Sequence, residues 1–428
     1  MSPPSHAGIP FGEALRFWLK LGFISFGGPA GQIAIMHQEL VERRKWIAEG
    51  RFLHALNYCM LLPGPEAQQL ATYMGWLMHG TKGGIAAGTL FVLPSLLILI
   101  GLSWGYVAWG TLPAVAAVLD GIKPAVVAIV LVAALRIGRR VLKRWPAWAV
   151  AAAAFAALVA GAPFPALVLG AALVGAACAL WAPSAFPTAH AHGEGDVAAA
   201  PWHGPGAPLR KAIVGLAIGA AALGLCVAVD GWGGTLTDMA LFFTKAALLT
   251  FGGAYAVLPY VFEAAVEHYA WLSAAQMIDG LALGERTPGP LIMVVAFIGF
   301  VGGAEPPLLG PGSVAASGAL AACVATFFTF LPSFLFVLAG APLVEATHGR
   351  SRLAAPLAAI TAAVVGVIVH LGVMLAGHVM WPVGFAAAPD WASVAIGVAA
   401  LVGLASGRVG IIPTIAAAGL AGLAIGSV

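Results

Sequence analysis

The sequence predicts an all-α polytopic integral membrane protein made of two homologous helical units in inverted orientation, with broken or re-entrant helices. Three observations predict this class. The chain of 428 residues is 61% hydrophobic and only 9% charged, with a mean hydropathy of +0.97, whereas soluble domains run near a quarter charged. Apolar runs long enough to cross a hydrocarbon core of roughly 30 Å recur from end to end, and the short alternating segments of a β-barrel are absent. The third observation is a duplication. Moving the sequence by 225 residues without a gap lays Phe17, Lys20, Phe26, Gly27, Gly28, Val41, Glu42, Trp46, Pro63, Gly64 and Pro65 onto Phe242, Lys245, Phe251, Gly252, Gly253, Val266, Glu267, Trp271, Pro288, Gly289 and Pro290. Duplicated units broken at matching points are a common way to build a transport site.

In chain order, Phe11 to Met36 is the first apolar segment, interrupted at Gly27-Gly28-Pro29. A charged loop from His37 to Arg51 follows, then Phe52 to Met78, interrupted by Pro63-Gly64-Pro65. Gly84 to Tyr106, Pro124 to Leu135 (extending back towards Leu112), Trp148 to Ala160 and Pro165 to Trp181 complete the first half. Pro183 to Pro208, rich in Pro, Gly, Ala and His, reads as a connecting loop. Ala212 to Val229 is an apolar segment without a first-half partner. Leu236 to Val261, Met277 to Val301, Val314 to Leu343, Leu357 to Met380, Ala392 to Ala405 and Ile411 to Val428 then repeat the first-half order. The expected domains are therefore residues 1–182, a cytoplasmic linker at 183–211, an extra transmembrane helix at 212–230 and an inverted second unit at 231–428.

An odd helix between like units reverses the second one, and loop charge supports this, because Lys and Arg collect on the cytoplasmic side. Arg43, Arg44, Lys45 and Arg51 lie in the first-unit loop, whereas its counterpart is read as holding Glu263, Glu267, His268 and Asp279 with no Lys or Arg. Arg136, Arg139, Arg140, Lys143 and Arg144 read as a second basic loop, with weaker ones at Arg210, Lys211, Arg350, Arg352 and Arg408. Keeping both strong loops inside requires one of the three intervening segments to enter and return on one side. The segment broken at Pro63-Gly64-Pro65, with arms of about 11 to 13 residues, is the best candidate. The same logic for the Gly-Gly segments leaves Asp230, Glu305 and Asp390 outside. It gives about nine full spans plus broken hairpins, against thirteen straight spans otherwise.

A helix broken within lipid frees backbone groups that cost several kcal/mol each unless something satisfies them. Pro29, Pro63, Pro65, Pro288 and Pro290 offer no N–H, and each break starts a helix whose positive end favours an anion. Four such ends converging would suit one small oxyanion; the competing reading is that the breaks only kink helices for packing. Lys20 and Lys245 hold one place in both units and either face a cavity or snorkel to the interface. Glu66 follows Pro65, with Gln68 and Gln69 beyond it, while Glu285 and Arg286 precede Pro288. Arg286 would pair with a dianion or with Glu285, and Glu66 or Glu285 would exchange protons. The candidate anion-binding set is Lys20, Gly27, Gly28, Pro63, Gly64, Glu66, Gln68, Lys245, Gly252, Gly253, Glu285, Arg286 and Gly289.

The remaining features are plainer. Cys59, Cys178, Cys226 and Cys323 stand singly and read as small core residues. Trp46 and Trp271 read as interface anchors. His190, His192 and His203 are too scattered for a metal site, and His370 and His378 read as packing or pore residues. Met1 to Pro10 shows no signal-peptide pattern. No nucleotide, hydrolase or paired-cysteine motif is present, so neither an enzyme nor ATP drive is expected. No catalytic residue, metal or cofactor is expected. The partners are a small anion and the lipid bilayer, with no nucleic acid; a homodimer is left open.

The run from Phe17 to Ala30 (FWLKLGFISFGGPA), that from Leu62 to Gln69 (LPGPEAQQ), and the weaker pair Thr250 to Ala254 (TFGGA) and Arg286 to Pro290 (RTPGP) resemble the chromate ion transporter family in its long, two-domain form. The second half departs in having Ala254 where the first has Pro29. The resemblance implies a bacterial inner-membrane carrier that exports chromate and confers resistance, with sulfate, another tetrahedral dianion, able to compete. The alternatives are an oxyanion uptake permease and a membrane sensor that binds an anion without moving it.

Overall fold

The structure, a computed structural model, describes residues 9–26, 28–181, 206–251, 253–346 and 354–426. Gly27, Gly252 and linker residues 182–205, with His190, His192 and His203, lie outside them, as do Arg350, Arg352 and the side chain of Arg286. All regular structure among the described residues is helical. The helices are α1 (Phe11–Ile24), α2 (Gly28–His37), α3 (Glu49–Cys59), α4 (Glu66–Trp109), α5 (Pro113–Val141), α6 (Trp145–Val159), α7 (Phe164–Trp181) and α8 (Gly206–Asp230). They continue with α9 (Thr235–Leu248), α10 (Ala254–Phe262), α11 (Ala274–Arg286), α12 (Val294–Ala304), α13 (Val314–Ala346), α14 (Ala354–Met380), α15 (Trp391–Ala405) and α16 (Ile411–Gly426). Among the described residues six helices are long and apolar enough to span a membrane: α4, α5, α7, α8, α13 and α14. The segments expected at α6, α15 and α16 form shorter apolar helices of 15 to 16 residues.

The duplication extends to backbone detail. Single π-helical turns occupy Gln38–Arg43 and Glu263–His268, at equivalent positions. The residue closing each following turn is left-handed, Lys45 at φ 53° and Ala270 at φ 51°. Trp46 and Trp271 each donate a backbone bond of 2.8 Å back into their turns, to Leu40 and Ala265.

The chain forms two compact units, each drawing on both sequence halves. The first holds α1 to α3, most of α4, α8, α9, α12 and α13. Within it, α1 and α2 form a hairpin that reverses at the Gly27-Gly28 break: Arg44 returns to lie 3.6 Å from Glu13 and 5.0 Å from the Phe17 ring, which also meets Trp46 at 5.2 Å. The second break reverses the chain likewise. His37, at the end of α2, reaches Glu49 at the start of α3 (3.1 Å), while His79, on the far side of the break, reaches the Ile9 carbonyl (3.0 Å) beside α1. Both hairpins therefore enter and leave at one end, as the charge argument required. A second reversal at His79 and Gly80 folds α4 onto itself. Gly75 and Gly83 meet there so closely that a Cβ on Gly75 would lie 2.4 Å from the Gly83 carbonyl oxygen. In the same manner α12, buried along its whole length, lies against α13 through Gly299 and Gly303. The extra helix α8 meets α13 at Gly215 and Gly219 and is otherwise largely exposed.

The second unit is built on α14, with α5, α6 and α7 around it. Gly366 seats against the Ala151 backbone of α6, Gly175 of α7 against Ala355 and Pro356, and Gly372 against Leu131 of α5. Gly121 of α5 and Gly422 of α16 lie back to back. Two sequence expectations change here. Arg136, Arg139 and Arg140 are not in a loop but on the last turns of α5, where cations favour the negative helix end. Asp279 is not in the loop after the first broken segment; it is buried on α11.

Candidate functional site

The breaks are organised by what they do with the backbone groups they free. A helix end leaves carbonyls without partners, and in the first unit those of α1 and α9 are capped reciprocally. The Gly289 N–H donates to the Ser25 carbonyl at 2.7 Å, and the Gly64 N–H donates to the Thr250 carbonyl at 2.7 Å. Ser25 and Thr250 are equivalent under the 225-residue shift, as are Gly64 and Gly289. Each Pro-Gly-Pro thus closes the Gly-Gly break of the other repeat, an exchange expected of a local twofold relation. Gly64 and Gly289 adopt φ of 122° and 105°, which only glycine reaches without strain. Their amides are consumed by this capping and are not open to a ligand. One step on, the first turn of α4 begins, where the Ala67 and Gln68 N–H groups have no carbonyl of their own helix to bond.

A second repeated element packs on the breaks. A Cβ on Gly64 would fall 2.4 Å from Ser333 Oγ, and one on Gly289 would fall 2.8 Å from Ser95 Cβ. Ser95 and Ser333 stand in Leu93-Pro94-Ser95 and Leu331-Pro332-Ser333 on α4 and α13. Sequence reasoning missed this pair because the gapless shift ends before it. The turn at residues 305–313 is longer than that at His79 and Gly80, so the second copy falls out of register.

The polar side chains around these contacts come mainly from the first repeat. Gln32 Nε2 donates to the Gly289 carbonyl (2.5 Å) and to the Ser25 carbonyl (3.4 Å). Gln69 Nε2 donates to the Pro63 carbonyl (2.7 Å) and to Ser333 Oγ (3.3 Å). Gln68 Nε2 donates to Thr72 Oγ1 at 3.0 Å. Ser25, Gln32, Gln68, Gln69 and Ser95 are fully buried, yet Ser25 Oγ, Ser95 Oγ and the three glutamine Oε1 atoms have no hydrogen-bond partner among the described residues. Buried unsatisfied polar atoms beside the breaks are what water or a polar ligand would complete. The two hydroxyls can donate to an anion. Gln68 can as well if its carboxamide turns over, since the Thr72 hydroxyl would then donate to Oε1 and free Nε2.

The structure thus gathers Ser25, Gln32 and Ser95 around Gly289, and Pro63, Gln69, Thr250 and Ser333 around Gly64, with Gly28 and Gly253 left-handed beside the capped carbonyls at φ 70° and 100°. It does not draw Lys20 or Lys245 into either cluster. Lys20 and Lys245 lie on exposed faces of α1 and α9. Glu66 opens α4, where a carboxylate suits the positive helix end. Glu285 belongs to the second unit and accepts a hydrogen bond of 2.5 Å from the Tyr255 hydroxyl. Ser25, Gln32, Ser95 and Ser333 were absent from the sequence-based set. A polar residue inside an apolar segment was the available signal for Gln32, and the repeated Leu-Pro-Ser for the serines.

The sequence profile of the chromate transporter family matches residues 12–176 and 237–423, two stretches whose starts differ by the same 225 residues. The chain is 34% identical over 356 residues to the chromate transport protein of Pseudomonas aeruginosa, covering 82% of this chain and 77% of that one. It is 30% identical over 365 residues to the chromate transport protein of Cupriavidus metallidurans, covering 85% and 82%. It is 29% identical over 375 residues to the probable chromate transport protein of Synechococcus elongatus, covering 86% of each. No solved structure matches. With its six long apolar helices, the chain is a multi-pass membrane protein, and it belongs to the chromate transporter family.

Proposed function

We propose that this chain is a secondary carrier that exports chromate across the bacterial inner membrane, confers resistance to it, and draws on a proton gradient or the membrane potential. The observation that carries the substrate is similarity over about four fifths of the chain to two proteins named for chromate transport. The capped breaks are the proposed anion site: a tetrahedral dianion would take hydrogen bonds from the Ser25 and Ser95 hydroxyls, the first-turn amides of α4 and a turned Gln68. Lys20, Lys245 and Arg286 would supply positive charge along the route, with Glu66 and Glu285 beside it.

The inverted arrangement of residues 1–182 and 231–428 around the helix at 212–230 is part of the same reading. Its support is the odd helix α8, the reciprocal capping, and the gathering of both first-repeat hairpin ends beside Arg43, Arg44, Lys45 and Arg51. By the bias of basic residues those ends face the cytoplasm.

Reconstitution in liposomes tests the proposal. Saturable flux of radiolabelled chromate, competed by sulfate, is expected. Sulfate flux without chromate flux would indicate an oxyanion permease, and binding of either ion without flux would indicate a sensor. Arg286→Ala and Lys20→Ala are expected to lower chromate flux while leaving the protein in the membrane; wild-type flux in both would remove them from the route.

A further inference from the structure

Away from the breaks, the second unit holds a cluster of charged groups that the proposed anion site does not use. Asp279, on α11, is only 4% exposed. Its Oδ2 accepts a hydrogen bond from the Tyr106 hydroxyl at 3.0 Å, and its Oδ1 is buried without a hydrogen-bond partner among the described residues. Lys123 Nζ lies 3.8 Å from that Oδ1 but is bonded at 2.7 Å to Asp120 Oδ1, whose side chain is largely exposed. Two carboxylates therefore share one ammonium, one open to the surroundings and the other sealed in. Of the neighbouring elements, α4 presents Tyr106 and α5 presents Asp120 and Lys123. The titratable side chains of α14 lie elsewhere, His370 against Phe155 and His378 against Phe262.

From this geometry we infer that Asp279 is the proton-exchange group of the carrier, with Lys123 moving between it and Asp120 and Tyr106 holding its orientation. The inference rests on the carrier reading above and replaces Glu66 and Glu285 in the coupling role. With Lys123 on Asp120, Asp279 carries its proton on Oδ1. When Lys123 shifts by about 1 Å to hydrogen-bond distance, that proton leaves to water on the Asp120 side and a carboxylate–ammonium pair remains. When Lys123 returns to Asp120, the Asp279 carboxylate takes a proton from water on the opposite side of the membrane, which restores the acid; each cycle takes up one proton and releases one, and no other bond changes. Ionisable groups inside membrane helices commonly mark such relays. The position is not duplicated, since the first repeat has His54 there. From Asp279, α11 continues to Arg286, two residues before Pro288 in the chain.

A structural ion pair would lower every activity alike, so the test separates exchange from drive. In proteoliposomes, labelled-chromate counterflow without a gradient is compared with uptake driven by an imposed pH gradient. Asp279→Asn is expected to keep counterflow within about twofold of wild type while losing the response to the gradient, and Asp279→Glu to regain part of it. Lys123→Met and Tyr106→Phe are expected to shift the pH dependence of driven uptake, and they carry the test if Asp279→Asn fails to reach the membrane. Retained gradient response in Asp279→Asn, or equal loss of counterflow and drive across these variants, overturns the inference. Wild-type counterflow with no response to a pH gradient overturns it too but leaves the carrier standing; absence of wild-type counterflow removes the carrier reading as well.

Discussion

The break at Pro63-Gly64-Pro65 and its copy at Pro288-Gly289-Pro290 have the same backbone and different surroundings. Both glycines are left-handed, both donate across to the other repeat's broken helix, and both lie under a serine from a helical Leu-Pro-Ser stretch. After the first break come Glu66 and Gln69, where the second has Leu291 and Val294; Gln32 has Val257 as its counterpart. The second repeat instead places Glu285 and Arg286 before its break, and buried Asp279 further back, where the first has Met60, Leu61 and His54. The difference separates what the fold needs from what transport needs. Backbone capping is a structural requirement in lipid and is kept twice, whereas the first repeat adds Glu66 with buried glutamines and the second adds Glu285, Arg286 and buried Asp279.

The largest effects are expected where the two copies agree. Gly64→Ala and Gly289→Ala each force a left-handed side chain, at about 1–2 kcal/mol, into space already held by Ser333 or Ser95. Both should lose most monodisperse protein in detergent, and chromate flux should drop at least about tenfold, since 1.4 kcal/mol is already tenfold. Tolerance of one and not the other would break the twofold reading.

Next come positions where the copies differ. Gln32→Leu takes its side-chain donor from the Gly289 carbonyl and a second, longer bond from the capped Ser25 carbonyl, at a cost of about 1–3 kcal/mol, and should lower the thermal midpoint by several degrees. Val257→Leu should change it by less than half as much. Equal shifts would mean that Gln32 is only packing. Ser95→Ala removes a hydroxyl without a protein partner, so it should leave thermal stability within about 0.5 kcal/mol of wild type while weakening chromate flux. By contrast, Ser333→Ala takes a partner from Gln69 and should show in stability, by about 1 kcal/mol.

The smallest effects concern the two π-turns and are read from pH. Burial raises the Glu39 carboxyl, but Arg43 and Arg44 together outweigh it and hold the group below the ordinary range. Its contribution to stability is therefore present above the unfolded value, near pH 4.3, and is lost as pH falls through the folded one. Burial, with Glu267 beside it, raises Glu263. Its ionised form opposes folding above the raised value, and the opposition vanishes in acid. Thermal melts of Glu39→Gln and Glu263→Gln should accordingly differ in sign at neutral pH, the first destabilised and the second stabilised, and converge on wild type below about pH 4. Shifts of the same sign at pH 7 would refute the contrast.

Much of the fold was legible because its causes are local. Apolar composition forces backbone groups to pair within helices in lipid, and Pro-Gly-Pro stops a helix wherever it stands, because proline has no N–H and glycine admits positive φ. The charge count over the loops was also enough to require a reversal at Pro63-Gly64-Pro65, which the contacts of His37 and His79 show. It failed for Asp279, since a carboxylate in an apolar run looks the same whether it faces water or a half-buried tyrosine. It failed for Arg136 to Arg140 because a basic helix end and a basic loop read alike.

By itself, then, the sequence determined that this is a duplicated helical membrane protein, and where its helices break, because covalent backbone chemistry sets those points. Only the tertiary structure decided which group satisfies which. Gly64 caps Thr250, Gly289 caps Ser25, Gln32 bridges the breaks, and Lys123 stands between two carboxylates. Those pairings join segments far apart in the chain, and a freed N–H or a buried charge takes whichever partner the packing brings within about 3 Å. Local sequence creates the need for a partner, and three-dimensional packing chooses it.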